Sequence, residues 1–238
     1  MTIPELLASV GKGCAILALF SYIFYRSLPA FFILLPGLFP FLLYERKKKT
    51  VKRKEQLTVQ FREMMIAVIA SLQAGYSIEN AFLRTYEDLC LLFGKRSMIA
   101  RELLGMNREL RNNRNIEEIL QEFSARSHIP EIADFAEVFR IAKRSGGDLP
   151  SILQHTADLI SQKIDVRREI ATQISAKKME QLIMDLVPFG IILYIDATSP
   201  GFFEPLYHNG MGVILMTVLL GVYITAYLMA QKILNIAY

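Results

Sequence analysis

Asp185 and Asp196, eleven residues apart in a stretch otherwise rich in Leu, Ile and Val, are the residues of this sequence closest to a recognisable catalytic pair. At about 100° per residue they share nearly one helix face. Two carboxylates that share a proton can activate water, as in an intramembrane aspartyl protease. On a single helix, though, a separation of eleven residues at about 1.5 Å each puts them ~16 Å apart, too far to share one. Ser145-Gly146-Gly147-Asp148 falls short of a Gly-x-Gly-Asp aspartyl motif and lies in a hydrophilic region. Asp185 and Asp196 are therefore expected to serve as polar contacts toward another helix or as interfacial residues. Gly94-Lys95-Arg96-Ser97 lacks the earlier glycine and the register of a phosphate-binding loop. His128, His155 and His208 have no ligand spacing, and no Gly-x-Ser-x-Gly elbow occurs. Cys14 and Cys90 offer neither a disulfide framework nor a CxxC metal pair, which suits a reducing cytoplasm for the middle of the chain. No enzymatic activity, cofactor or metal is expected.

The elements that would carry these residues are set by an uneven distribution of apolar side chains. The 238-residue chain is 53% hydrophobic, with a mean hydropathy of +0.31. Apolar residues crowd 14–44 and 182–230, and charge concentrates between 45 and 180. A membrane protein with a central aqueous domain has this pattern. Spans are expected at about 8–25, 28–44, 182–199 and 211–230, since about 20 helical residues cross the hydrocarbon core. The chain thus divides into an N-terminal membrane hairpin over 1–45, a hydrophilic domain over 46–180 and a C-terminal membrane pair over 181–238. A signal peptide competes for the first segment, with Lys12 as its basic region. A second apolar segment follows at once without an Ala-x-Ala-like cleavage site, which favours the hairpin.

Arg46, Lys47, Lys48, Lys49, Lys52, Arg53 and Lys54 follow the second apolar stretch directly. No aromatic residues are interleaved, so anchoring to membrane lipids on the positive-inside side is expected rather than nucleic-acid binding. The loop from Pro200 to Gly210 holds no Lys or Arg, and Lys232 follows the last span. Both termini and residues 45–180 should then be cytoplasmic. The third span inserts marginally: its aliphatic residues contribute about −0.3 to −0.6 kcal/mol each against about +2.5 to +3.5 for a central Asp. It should therefore pack against partners.

Within 46–180 a repeated pattern marks helix starts. Gly75 can stop a helix and Ser77 can cap the next, with Ile78, Ala81 and Phe82 beginning an apolar face. Asn115 with Ile116, Ile119 and Leu120, and Asp148 with Leu149, Ile152 and Leu153, repeat it 38 and then 33 residues on. Asn115 and Glu118 resemble a capping box. The first helix is expected over 54–74, with Leu57, Phe61, Met64, Met65, Val68 and Leu72 on one face. The second, 78–93, carries Ile78, Phe82, Leu89 and Leu92. The others are expected at 97–112, from Asn115, over 130–144 with Phe135, Val138 and Phe139 inward, and from Asp148. Gly146 and Gly147 break the fifth, and the sixth has no stop before Ser199. The fold class is an all-α membrane protein, a six-helix bundle of three hairpins flanked by two pairs of transmembrane helices.

The run Gln73-Ala74-Gly75-Tyr76-Ser77-Ile78-Glu79-Asn80-Ala81-Phe82, then Ser145-Gly146-Gly147-Asp148-Leu149-Pro150-Ser151-Ile152-Leu153, then a charged helix leading into an apolar pair, resembles the F domain of type II secretion and type IV pilus platform proteins. The resemblance covers about residues 57–197. One such domain between two pairs of spans is more similar to the tight-adherence pilus branch than to the general secretion branch, whose members carry two. The resemblance implies a non-catalytic platform in the bacterial inner membrane. Its implied partners are a hexameric cytoplasmic secretion ATPase, pilin-like subunits, and either another copy or a second F-domain protein. A membrane receptor or regulatory scaffold whose helical domain binds a soluble partner without force transfer is the competing class.

Overall fold

The computed structural model describes residues 3–25, 31–32, 35–145, 148–199, 201–207 and 209–236, which are helical with no strand among them. Among the described residues eight helices longer than two turns follow in order: α1 Ile3–Tyr25, α2 Leu38–Gln73, α3 Ile78–Phe93, α4 Met98–Arg111, α5 Ile116–Ser127, α6 Pro130–Ser145, α7 Leu149–Thr198 and α8 Gly210–Ile236. A 3-10 turn, Leu35–Gly37, precedes α2, and a single helical turn, Glu204–Tyr207, precedes α8. Among the described residues three helices are long and apolar enough to cross a membrane: α1 over Leu7–Tyr25, α7, and α8 over Gly210–Ile233. Of the expected span at 28–44, residues 28–30 and 33–34 lie outside the described residues. The chain divides into one unit of Lys49–Arg168 and another of Met1–Lys48 with Glu169–Tyr238.

The helix expected over 54–74 begins sixteen residues earlier, at Leu38, so the whole basic run is helical. Lys and Arg are good helix formers, and their repulsion is spread around the cylinder rather than stacked on one side. Pro40 falls in the first turn, where a backbone N–H would have no helical partner anyway. At the other end Gly75, at φ 86°, closes a paired C-terminal motif: its N–H donates to Leu72 O at 3.0 Å and that of Tyr76 to Ser71 O at 3.2 Å. The same motif ends α4 on a non-glycine residue, Asn113 at φ 57°, with Asn113 N donating to Leu110 O and Arg114 N to Glu109 O.

Ser77 Oγ accepts from Asn80 N at 3.3 Å and starts α3. Ser97 does the same for α4 through Ala100 N, and Gln60 Oε1 takes a further free donor, Ile99 N, at 3.1 Å. Asn115 occupies the cap position of α5 but caps nothing with its side chain. Its amide instead donates to Glu118 at 3.4 Å, which corrects the capping-box expectation. Because Ser77 satisfies one of the orphan donors, Ser77→Ala should lower stability by about 1 kcal/mol, read as a lower midpoint in thermal unfolding of the detergent-solubilised chain.

The core of the Lys49–Arg168 unit is a run of touching rings. Phe123 on α5 meets Phe61 on α2 at 6.1 Å, Phe61 meets Phe135 on α6 at 5.6 Å, Phe135 meets Phe139 at 6.1 Å, and Phe139 meets Phe82 on α3 at 6.3 Å. Aliphatic side chains close around them, including Met64, Met65, Ile99, Leu103 and Leu153. The apolar patterns locate most of this core but overreach at its edges. Leu92 is 66% exposed and Ile152 38%, while Val138 is only half-buried. A spacing of three and four selects a stripe, and neighbouring helices decide how wide a stripe they cover.

In the other unit α1, α8 and the end of α7 pack through aromatic side chains. Phe189 lies 5.1 Å from Phe20 and 5.2 Å from Tyr223, both edge-on. Tyr207 donates to Ile23 O at 2.7 Å. Gly13 lets α1 approach the start of α2 closely, since a Cβ there would stand 2.8 Å from Leu38 Cδ1.

Candidate functional site

The element that gathers the candidate residues is α7, fifty residues long and unbroken from Leu149 to Thr198. At about 1.5 Å per residue it runs for ~75 Å. Asp148 starts it, its Oδ1 accepting from Ser151 N at 3.4 Å and its carbonyl from Ile152 N at 3.1 Å. Pro150 suits the first turn. Gly146 and Gly147, the expected break before it, lie outside the described residues.

Two sets of ionic contacts fasten α7 shortly before the end of its unit. On one side Arg62 of α2 donates to Asp165 Oδ1 at 2.7 Å. On the other, Glu131 of α6 faces Arg167 Nη1 at 2.8 Å and Lys163 Nζ at 3.5 Å, and Lys163 also lies 3.5 Å from Asp134. The Glu131 side chain is 1% exposed, and its Oε1 makes these contacts without hydrogen-bond geometry. A buried carboxylate without a cation would be strongly unfavourable, so α6 is held to α7 by the need to keep that charge paired. Glu131 carries no signal in the sequence. It occupies a first-turn acidic position after Pro130, and in the fold it is buried facing Lys163 and Arg167 of α7.

Beyond the clamp α7 changes character. Ile174 is its last buried residue before Phe189. The intervening Lys177 and Glu180 pair on the helix surface at 3.0 Å. Asp185 and Asp196 lie in the apolar end of the same helix, both half-buried. Tyr223 of α8 donates to the Asp185 carbonyl at 3.2 Å, bringing a polar group to α7 at that level. Pro188 sits inside this stretch. Lacking an N–H, it frees the Met184 carbonyl from the helical ladder.

The seven basic residues from Arg46 to Lys54 wind around α2 rather than forming a loop. Of these, Lys54 reaches the α5–α6 junction, donating to His128 O at 3.2 Å. His128 terminates α5 at φ 53°, a left-handed C-cap. His155 lines a depression of about 520 Å³ with Gln73, Asp148, Ser151, Gln154 and Asp158. His208 lies outside the described residues. A second groove, about 450 Å³, runs over Leu57, Met98, Gly105, Met106 and Ile119 and is crossed by the Glu102–Arg126 ion pair at 3.0 Å. Arg114 draws Glu109, Glu118 and Glu122 together near its rim, and its hydrogen bond holds the Glu122 carboxyl below the ordinary glutamate range. Among the described residues no group of three His, Cys, Asp or Glu side chains is placed to hold a metal. Cys14 and Cys90 are both free and half-buried.

The described residues thus hold a helical unit with ion pairs fastening α7 within it, and an apolar segment at the end of the same helix. No curated protein and no solved structure matches the chain significantly. Residues 67–196, more than half of the sequence, match the family described as Type II secretion system (T2SS), protein F, and the chain belongs to that family, whose members are membrane platform proteins.

Proposed function

We propose that this protein is a platform component of a type II secretion or tight-adherence-type pilus machine in the bacterial inner membrane. In this reading it couples a hexameric cytoplasmic ATPase to the extraction of pilin-like subunits. Residues 46–180 form a six-helix cytoplasmic domain between two membrane pairs, with both termini on the cytoplasmic side. The basic turns of α2 sit at the anionic lipid surface, where each Lys or Arg contributes about 1 kcal/mol. The protein itself carries out no catalysis.

The observation that carries the proposal is the continuity of α7. The ion pairs at Asp165, Lys163 and Arg167 fasten it to α2 and α6, and the same helix runs on to Asp185 and Asp196. A displacement applied to the helical domain by a partner is then passed along the backbone of α7. Asp185 and Asp196 are the polar groups that would meet a subunit held beside the third span.

Crosslinking of the full chain in its native membrane, followed by identification of captured proteins, tests this directly. A secretion ATPase on the cytoplasmic side and pilin-like subunits on the apolar side are expected. Capture of a soluble regulator, with neither of these, would replace the proposal with a receptor or scaffold role.

A further inference from the structure

In the unit of Met1–Lys48 with Glu169–Tyr238, the apolar end of α7 carries a carboxylate with no counterpart. Asp185 is half-buried, and among the described residues its side chain makes neither a hydrogen bond nor an ion pair. Only its backbone is engaged, by the Tyr223 hydroxyl at 3.2 Å. The side chains that its charge reaches are two neutral phenols of α8, Tyr223 and Tyr227, rather than a cation. Tyr223 is fixed there, edge-on against Phe189 at 5.2 Å. Gln181, one turn before Asp185, is also incompletely satisfied: its Nε2 is buried without an acceptor. An ionised carboxylate in apolar surroundings is costly unless a cation or several donors meet it.

We propose that Asp185 binds the primary ammonium of a lipid headgroup, a phosphatidylethanolamine seated against α7 and α8. The level of the residue argues for a lipid. Lys177, Lys178 and Glu180 precede it, and the apolar run opens at Leu182. Tyr44 of the same unit lies close enough to Tyr227 to interact with it, so three tyrosines gather around this carboxylate. Tyrosines collect where a bilayer meets water, and the groups that surround a protein at that level are headgroups. Leu182, on the same side of α7 one turn before, is exposed, so the carboxylate borders the perimeter of its own unit. A primary ammonium donates three hydrogen bonds and gives a carboxylate short, charge-assisted ones, whereas a methylated ammonium has none to give. The exposed ring of Tyr227 adds attraction for a cation. The phosphate oxygens beside the ammonium supply the acceptor that the Gln181 amide lacks, once that amide turns outward. An anionic headgroup without an amine would be repelled by the same carboxylate. The inference rests on the membrane insertion of the reading above and deepens it at Asp185: a subunit arriving there would displace a lipid.

Carbodiimide coupling identifies the occupant, because it joins a carboxylate to a primary amine in contact with it, leaving an amide. The full chain is treated in its native membrane and in vesicles of phosphatidylglycerol mixed with either phosphatidylethanolamine or phosphatidylcholine, and its peptides are weighed. A lipid amide on Asp185 is expected in the native membrane and with phosphatidylethanolamine, and none with phosphatidylcholine. Native mass spectrometry of the extracted chain should show phosphatidylethanolamine retained several-fold over phosphatidylglycerol. Asp185→Asn should remove that preference with the unfolding midpoint unchanged, Asp185→Glu should restore part of it, and Glu180→Gln should leave it intact. Absence of a lipid amide at Asp185, equal coupling at Glu180, or equal retention of the two lipids by the parent would overturn the site. Coupling of Asp185 to a protein lysine in place of lipid would overturn it too, by assigning the carboxylate to a protein partner. The readout is independent of secretion: a lipid amide in a chain that fails to support assembly would support the site while counting against the platform role.

Discussion

A short Gly-Ser insertion between Lys177 and Lys178 should abolish pilus assembly or secretion while leaving the protein inserted and folded. No α7 side chain between Ile174 and Phe189 is buried, so the insertion removes no core contact. It does interrupt the helix. Each glycine costs about 1 kcal/mol in a helix interior, and a flexible segment lets the clamped part of α7 move without moving the part that carries Asp185 and Asp196. Activity should fall to the level of a chain lacking residues 55–180, while expression, membrane fractionation and the unfolding midpoint stay near those of the parent. Normal assembly by the insertion variant would show that α7 need not be continuous, and force transfer along it would have to be abandoned.

Phe135→Ala should have the largest effect on stability. Phe135 is fully buried and touches rings on both sides, Phe61 at 5.6 Å and Phe139 at 6.1 Å. Truncating a buried Phe costs about 3–5 kcal/mol through lost transfer energy and the cavity left behind. That is a large fraction of the ~5–15 kcal/mol that holds a typical domain together. Denaturant unfolding of the solubilised chain should show the transition at much lower denaturant, whereas Leu91→Ala, at a side chain 87% exposed, should leave it nearly in place. Comparable losses from both variants would mean that the ring chain is not the centre of the core.

Helix starts and stops are written in single side chains, and these were largely readable. Ser77 and Asp148 can each satisfy a free N–H, Gly75 tolerates a left-handed backbone, and Pro130 needs no donor at the first position of α6. The absence of any such signal after Ile164 likewise pointed to one long helix. Features that depend on three-dimensional neighbours were hidden. The stretch Arg46–Lys54 reads as a boundary because charge ends the apolar pattern, yet the backbone ladder of α2 runs straight through it. Asn115 has the right type for a cap, but its amide is taken by Glu118. Glu131 looks like any surface acid, yet it is buried and faces Arg167 of α7. The Leu92 and Ile152 side chains fit their stripes yet remain exposed among the described residues.

The length of α7 also constrains how such a chain can vary over evolution. Removing one residue between Arg168 and Leu182 would turn the rest of α7 by about 100° about its axis and shift it by about 1.5 Å, relative to the part of the same helix that carries Lys163, Asp165 and Arg167. Only changes of about seven, eleven or eighteen residues would nearly restore the phase. Insertions and deletions among relatives should therefore collect at the turns around Gly94, Asn113 and Asp148, where a loop absorbs them, and be absent from α7 between the clamp and the apolar end. The spacing between those two parts should then be kept as a fixed ruler, even where the side chains along it change.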